Sequence, residues 1–138
     1  MLSMGERVLF LKGVALFADL PGRELTQVAE VARLRTFSAN AVLMREGEIG
    51  DFLYLIVEGE ASVSAEAREV ARRGCKDCIG ELSVLDAEPR TATVTALTDM
   101  VVLEVRRDDF RYLMAERAEV TRGIIRTLVR KLAEANAL

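Results

Sequence analysis

The sequence predicts a mainly β domain with helices at both ends, and three observations carry that expectation. Between Leu34 and Val105, short runs of β-type residues alternate with turn signals at close intervals, the mark of a sandwich or barrel. On either side of that stretch, apolar residues recur at helical spacing. A length of 138 residues, 51% of them hydrophobic, is enough for one domain with its own core. With only 5% aromatic residues, that core must be aliphatic.

Met1 to Lys12 carries Leu2, Val8, Leu9 and Leu11, an irregular pattern compatible with a turn or two of helix. Val14-Ala15-Leu16-Phe17 leads to Asp19-Leu20-Pro21, where an acidic residue and an early proline mark a helix start. From Pro21 to Leu34, Leu25, Val28, Ala29 and Ala32 make one face of an amphipathic helix. Strands are expected near 34–38, 41–45, 52–58, 60–64, 69–73, 77–79, 92–97 and 101–105. Gly47, Gly50 and Gly59 stand at turns, where a glycine usually serves an unusual φ. Residues 66–69 form a hairpin tip that lacks the Asn-Gly or Asp-Gly signal. Arg107-Asp108-Asp109-Phe110 opens a helix with acidic residues in its first turn, as the helix dipole favours. Phe110, Leu113 and Met114 share a face of it. A second helix is expected from Ala118 to Ala135. Val120, Ile124, Ile125, Leu128 and Leu132 form its apolar stripe, and Arg122, Arg126 and Arg130 lie on a solvated face.

Composition removes several function classes. The net charge is −3, from 19 basic and 22 acidic residues, which argues against a dedicated nucleic-acid surface. No apolar run approaches the roughly 20 residues of a membrane span. The apolar start, Val8 to Leu20, is interrupted by Lys12 and Asp19 and does not read as a signal peptide. With no histidine, His-dependent triads, His metal sites and cupin-type metal chemistry lose their ligands. Cys75 and Cys78 form a C-x-x-C without a second pair to complete a zinc site. Two incidental thiols at a turn is the plainer reading, and it fits a reducing, cytoplasmic setting.

The most informative stretch runs from Cys78 to Ala96, CIGELSVLDAEPRTATVTA. It reads as strand, one turn of helix, loop, strand. Gly80 allows close backbone approach or an unusual φ. The N–H groups of the turn beginning near Glu81, Leu82 and Ser83 lack intrahelical partners and attract an anion. Arg90 adds a planar, permanently charged fork suited to phosphate. Glu81 cannot hold the phosphate, because like charges repel; it suits a sugar hydroxyl. Phosphate beside a ribose-like hydroxyl describes a nucleotide. The bland alternative is an ion pair between Glu81 and Arg90 across a turn.

The run G-E-L-S-V-L-x-x-x-P-R-T-A-T-V resembles the phosphate-binding cassette of cyclic nucleotide-binding domains. Ile79 replaces a usual aromatic and Ser83 a usual alanine, and neither change removes a ligand group. A second landmark, R-E-G-E-I-G-D-F-L-Y-L-I-V-E-G-E, resembles the family's glycine-rich turn and following strand. The resemblance extends from about Leu16 to Leu132. It implies an eight-stranded jelly-roll barrel with N-terminal helices and two C-terminal helices, the last the family's lid over the purine; its apolar stripe alone suits packing on the barrel equally well. The implied division is a helical lead-in over 1–33, a barrel over 34–106 containing the cassette at 79–96, and closing helices over 107–138. The family often has a glycine where Lys76 stands.

The resemblance further implies a non-enzymatic regulatory module with no cofactor, binding cAMP or cGMP. Gly80, Glu81, Leu82, Ser83, Arg90, Thr91 and Ala92 would line the site. Thr91 resembles the cGMP-responsive members, though threonine also occurs in members that respond to cAMP, so both bases stay open. No helix-turn-helix follows the closing helix, so a module attached to, or acting on, a larger effector protein is expected. Other expected traits are no membrane insertion, no nucleic-acid partner, and a closing helix able to support a homodimer. A degenerate barrel kept as an interaction surface is the competing reading. Fold resemblance alone proves neither.

Overall fold

The structure is a computed structural model that describes residues 2–81 and 89–136. Helix α1 (Met4–Lys12) opens with a capping box in which Ser3 and Glu6 exchange hydrogen bonds. A 3-10 turn (Ala15–Phe17) leads to α2 (Gly22–Val31), which buries Leu25, Val28 and Ala29. Arg7 on α1 donates to Ala29 O at 3.3 Å and Ala32 O at 2.8 Å, satisfying carbonyls that α2 leaves unpaired at its end.

Among the described residues, eight strands follow: β1 (Arg33–Phe37), β2 (Val42–Met44), β3 (Phe52–Glu58), β4 (Ala61–Ala65), β5 (Arg68–Arg73), β6 (Cys78–Ile79), β7 (Thr93–Ala96) and β8 (Met100–Arg106). They form two antiparallel four-stranded sheets, ordered β1-β8-β3-β6 and β2-β7-β4-β5. This is the jelly-roll arrangement expected from the sequence, with one qualification: the sheets face each other as a sandwich and do not close into a barrel.

Strand side chains alternate between faces, and the sequence of β3 uses both. Leu53 and Leu55 point to one side, where with Cys78, Leu103 and Val105 they pack against Phe17, Leu25, Val28 and Phe110 of the helical layer. Tyr54 and Ile56 point the other way, where with Ile79, Met100 and Val102 they meet Leu43, Ala61, Val94 and Ala96 of the second sheet. The molecule therefore has three layers: helices, first sheet, second sheet. Phe17 and Phe110, both fully buried, meet edge to face at 6.3 Å and join the N-terminal and C-terminal helical segments.

Two turns are made without the residues that usually make them. The β4–β5 hairpin tip places Glu66 and Ala67 at φ of 52° and 64°, and Lys76 sits at φ 74°. All three occupy the left-handed region that glycine or asparagine normally fills.

Helix α3 (Arg107–Glu116) buries Phe110 and Leu113, and Arg117 just beyond it pairs with the buried Glu24 of α2. Helix α4 (Ala118–Asn136) buries Val120, Gly123, Ile124 and Thr127. Its apolar stripe is narrower than the periodicity predicts: Ile125 and Leu132 are 56% and 61% exposed, and Val129, outside the predicted stripe, is also exposed. The arginine face is also not uniformly solvated. Arg126 is half-buried, pairs with Asp19 and donates to Ala15 O at 3.0 Å. It joins α4 to the 3-10 turn, where the helix also lies directly on the backbone at Gly123.

A Cβ at position 123 would overlap the carbonyl oxygen of Leu16, which is backbone and cannot rotate away. Gly123→Ala is expected to lower stability by about 1–3 kcal/mol through overpacking, read as a lower urea midpoint with an unchanged slope.

Candidate functional site

The cassette enters the fold on β6, an edge strand of the first sheet. Cys78 faces the helical layer, Ile79 faces the sandwich, and the chain then turns at Gly80, whose φ is 91°. A side chain there would strike Arg90 and the Phe52 carbonyl. Glycine at position 80 therefore serves both conformation and space. Glu81 follows as a helical residue and is 3% exposed. Leu82 and Ser83 lie outside the described residues.

Arg90 comes back to the same place from the far side of the loop and is 7% exposed. Its Nη1 donates to Gly80 O at 3.2 Å and its Nη2 to Phe52 O at 2.8 Å. A guanidinium carries further N–H donors beyond these two. Backbone bonds fix the arginine's position: its N–H donates to Glu48 O at 2.6 Å, and its carbonyl accepts from Gly47 N at 2.8 Å. The glycine-rich turn at 47–50 thus acts as the seat of Arg90. The assignment of Gly50 to an unusual φ is corrected here. Gly50 does not lie in the left-handed region; a Cβ would occupy the space of the Arg90 guanidinium. Gly47 and Gly59 do take positive φ, at 88° and 98°.

Burial pushes the Arg90 pKa below its ordinary value, while the neighbouring Tyr54 hydroxyl and the Asp51 and Glu81 carboxylates oppose that shift. The ordinary value is so high that the group stays charged.

Gly80, Glu81, Arg90, Thr91 and Ala92 line one cavity of about 180 Å³. Its apolar wall is Met44, Val63, Ile79 and Val94, contributed by both sheets. Thr91 is exposed at the rim and Ala92 half-buried. The structure brings together the described members of the sequence-based set. It does not pair Glu81 with Arg90, so the bland alternative of an ion pair across the turn is not what holds them. A buried cationic fork, a buried carboxylate and an apolar wall between sheets suit a ligand with an anion, a hydroxyl and a flat apolar body.

Two more charged residues line the cavity, and sequence reading missed both. Lys131 of α4 donates to Glu81 Oε1 and, at 3.1 Å, to Cys78 O. Arg73, at the end of β5, pairs with Glu134 of α4 at 3.0 Å. Lys131 lies fifty positions from Glu81, beyond any local motif. The only usable signal was that Lys131 and Glu134 sit three apart, on one helical face. A second hollow of about 360 Å³ lies behind α4 against the 3-10 turn, and Arg73 and Lys131 border it too. It is larger but holds neither Gly80, Glu81 nor Arg90.

Among the described residues, no group of three or more His, Cys, Asp or Glu side chains could hold a metal. No described helix is long and apolar enough to cross a membrane.

Comparison with known proteins gives consistent relatives. Residues 34–117 match the family described as "Cyclic nucleotide-binding domain". A cyclic nucleotide-gated potassium channel of Rhizobium etli is 32% identical over 118 residues, covering 86% of this chain and 33% of the channel. A cAMP-dependent protein kinase regulatory subunit of Emericella nidulans is 36% identical over 107 residues, covering 76% of this chain and 26% of the subunit. The crystal structure of the Thermus thermophilus catabolite activator protein superimposes with a TM-score of 0.79 at 26% identity, covering 89% of this chain and 60% of that one. The chain thus spans between a quarter and two thirds of these relatives.

The C-x-x-C thiols differ in environment. Cys75 is exposed; Cys78 is buried, and burial followed by the Glu81 charge pushes its thiol well above the ordinary value. Iodoacetamide at pH 8 is expected to label Cys75 and leave Cys78 largely unmodified in the native protein, as read by peptide mass mapping.

Proposed function

The chain belongs to the cyclic nucleotide-binding domain family, and on that premise we propose that it is a regulatory module that takes cAMP or cGMP in the cavity at Gly80, Glu81 and Arg90. One observation carries the reading. Two oppositely charged, buried side chains from opposite ends of the cassette line a single cavity without neutralising each other. A barrel kept only for its shape has no use for both.

The ligand's cyclic phosphate lies between Arg90 and the backbone N–H groups that follow Gly80, those of Leu82 and Ser83 among them. Glu81 accepts a hydrogen bond from the ribose 2′-hydroxyl. Ala92 keeps the floor of the site low, and Thr91 at the rim can meet phosphate and base. The choice between adenine and guanine rests with that rim.

Occupancy is coupled to movement of α4. Lys131 of α4 forms part of the cavity wall, so a nucleotide in the site meets the helix, and it shifts the helix between states only by its preference for one of them. The recipient of the movement is an effector segment, attached or docked. The outward face of α4, with Ile125, Val129 and Leu132 exposed, is available to it or to a second copy.

Calorimetric titration of the nucleotide-free protein with cAMP and cGMP tests the assignment. Arg90→Ala is expected to weaken binding by about 2–4 kcal/mol, roughly 30- to 1,000-fold, because a buried phosphate loses its partner. Unchanged affinity in that variant would reject the site. Absence of binding in a folded, verifiably empty protein would leave an interaction surface as the better reading.

A further inference from the structure

We infer that the hollow behind α4 is a second anion site, separate from the nucleotide cavity, and that its ligand is a small organic phosphate held by Lys76 and Arg130. The inference goes beyond the nucleotide reading and does not rest on it.

The hollow measures about 360 Å³, inside the roughly 300–1,000 Å³ typical of small-molecule sites. Three segments far apart in sequence enclose it: residues 13–18, the turn between β5 and β6, and α4 from Arg126 to Glu134. The first adds little bulk, since Gly13, Ala15 and Ala18 are small. Five cations border the space, Arg73, Lys76, Arg126, Arg130 and Lys131, against two carboxylates, Asp77 and Glu134. The chain as a whole carries the opposite balance, a net charge of −3. A concave wall dominated by one sign concentrates counter-ions.

Three of the five cations are already engaged: Arg73 with Glu134, Arg126 with Asp19, and Lys131 with Glu81. Lys76 and Arg130 form no ion pair among the described residues. The bordering carboxylates are occupied elsewhere, Glu134 by Arg73 and Asp77 by the Gly74 N–H at 2.7 Å. Lys76 is also held in place. Its φ of 74° lies in a region that a lysine seldom takes. The turn that imposes this is tied to β3, because the Lys76 N–H donates to Ile56 O at 2.8 Å. The lysine stem then lies over Gly13, where a Cβ would meet its Cε at 2.9 Å and its Nζ at 3.0 Å. Strain of this kind collects at functional positions, and here it holds an ammonium at the hollow without a counter-charge.

Lys76 and Arg130 come from different segments and differ in what they offer. A guanidinium fork takes two oxygens of one group, and an ammonium adds a compact point charge. A terminal phosphate has three oxygens and can meet both cations; a single carboxylate has two. The volume exceeds what one phosphate fills, which leaves room for an organic body against the small side chains of residues 15 and 18. Neither Lys76 nor Arg130 borders the nucleotide cavity, so substitutions there address this hollow alone.

Calorimetric titration of the full 138-residue chain at low salt tests the site. The probe is glycerol phosphate, with glycerol and malonate as controls. Arg90→Ala removes the phosphate contact of the nucleotide cavity, so binding that persists in that variant belongs elsewhere. Glycerol phosphate is expected to bind Arg90→Ala saturably and more tightly than malonate, and glycerol not at all. Adding Lys76→Met or Arg130→Gln should weaken binding about tenfold each, the loss of one charge-assisted hydrogen bond. Raised salt should weaken it too. Both side chains are exposed, so neither substitution disturbs the core, and methionine keeps the stem over Gly13. The same two substitutions are read in wild type, which keeps the test intact if Arg90→Ala does not fold. Absence of saturable binding, binding indifferent to both substitutions, or binding lost in folded Arg90→Ala would overturn the second site and leave the nucleotide site standing. Malonate binding as tightly as glycerol phosphate would overturn the phosphate class. Failure of cAMP and cGMP to bind wild type, with glycerol phosphate binding intact, would remove the nucleotide reading alone and leave this site supported.

Discussion

Strand β3 must be covered on both faces. Leu53, Leu55, Tyr54 and Ile56 are consecutive, alternate in direction, and are all buried. One face can be closed by the second sheet, but the other needs a separate apolar layer. Helical segments from both ends of the chain supply it, and Phe17 against Phe110 is where the two ends meet. This requirement brings α4 to the same side as Cys78, so the edge strand carrying the cassette emerges beneath a helix. The site lies at the seam between the helical layer and the sandwich because the core needs both.

At that seam two charges are buried in different ways. Arg90 is satisfied by carbonyls from its own surroundings, Gly80 and Phe52, and held by the 47–50 turn. Its named partners all come from the β region. Glu81 draws on another layer for its counter-charge. Each arrangement meets the same demand, that a buried charge must find partners. Only the second ties the demand to the position of a helix.

Much of this architecture was legible in the sequence. The switch from helical spacing to short alternating runs and back located all eight described strands and the closing helices, because solvent and core impose different periods on the two structures. Gly80, Glu81 and Arg90 were recognisable because their spacing is local to a loop. What stayed hidden depends on distance through space. Nothing in the sequence marked Lys131, and Arg126 read as one of three solvated arginines, until folding brought them to Glu81 and to Asp19 with Ala15. Ile125 and Leu132 counted as core because their period is right. The helix, however, has neighbours along only part of its circumference, and period cannot reveal that. Gly50 was misread for a related reason: a glycine needed for a neighbour's side chain looks the same in sequence as one needed for φ.

The contact between Gly123 and the Leu16 carbonyl gives α4 an unequal mechanical character along its length. Near that contact the helix rests on main chain with no side chain between, and Arg126 and Thr127 add their own anchors. Farther on, Lys131 and Glu134 are its polar ties to the sheets. From Gly123 to Lys131 is about 12 Å along the axis, and to Asn136 about 20 Å, at 1.5 Å per residue. A helix seated at one end and tethered at the other behaves as a lever, and a tilt too small to disturb the seat is amplified at the tip. Any tilt of the helix about that seat is therefore largest where the helix ends, far from the contact that fixes it.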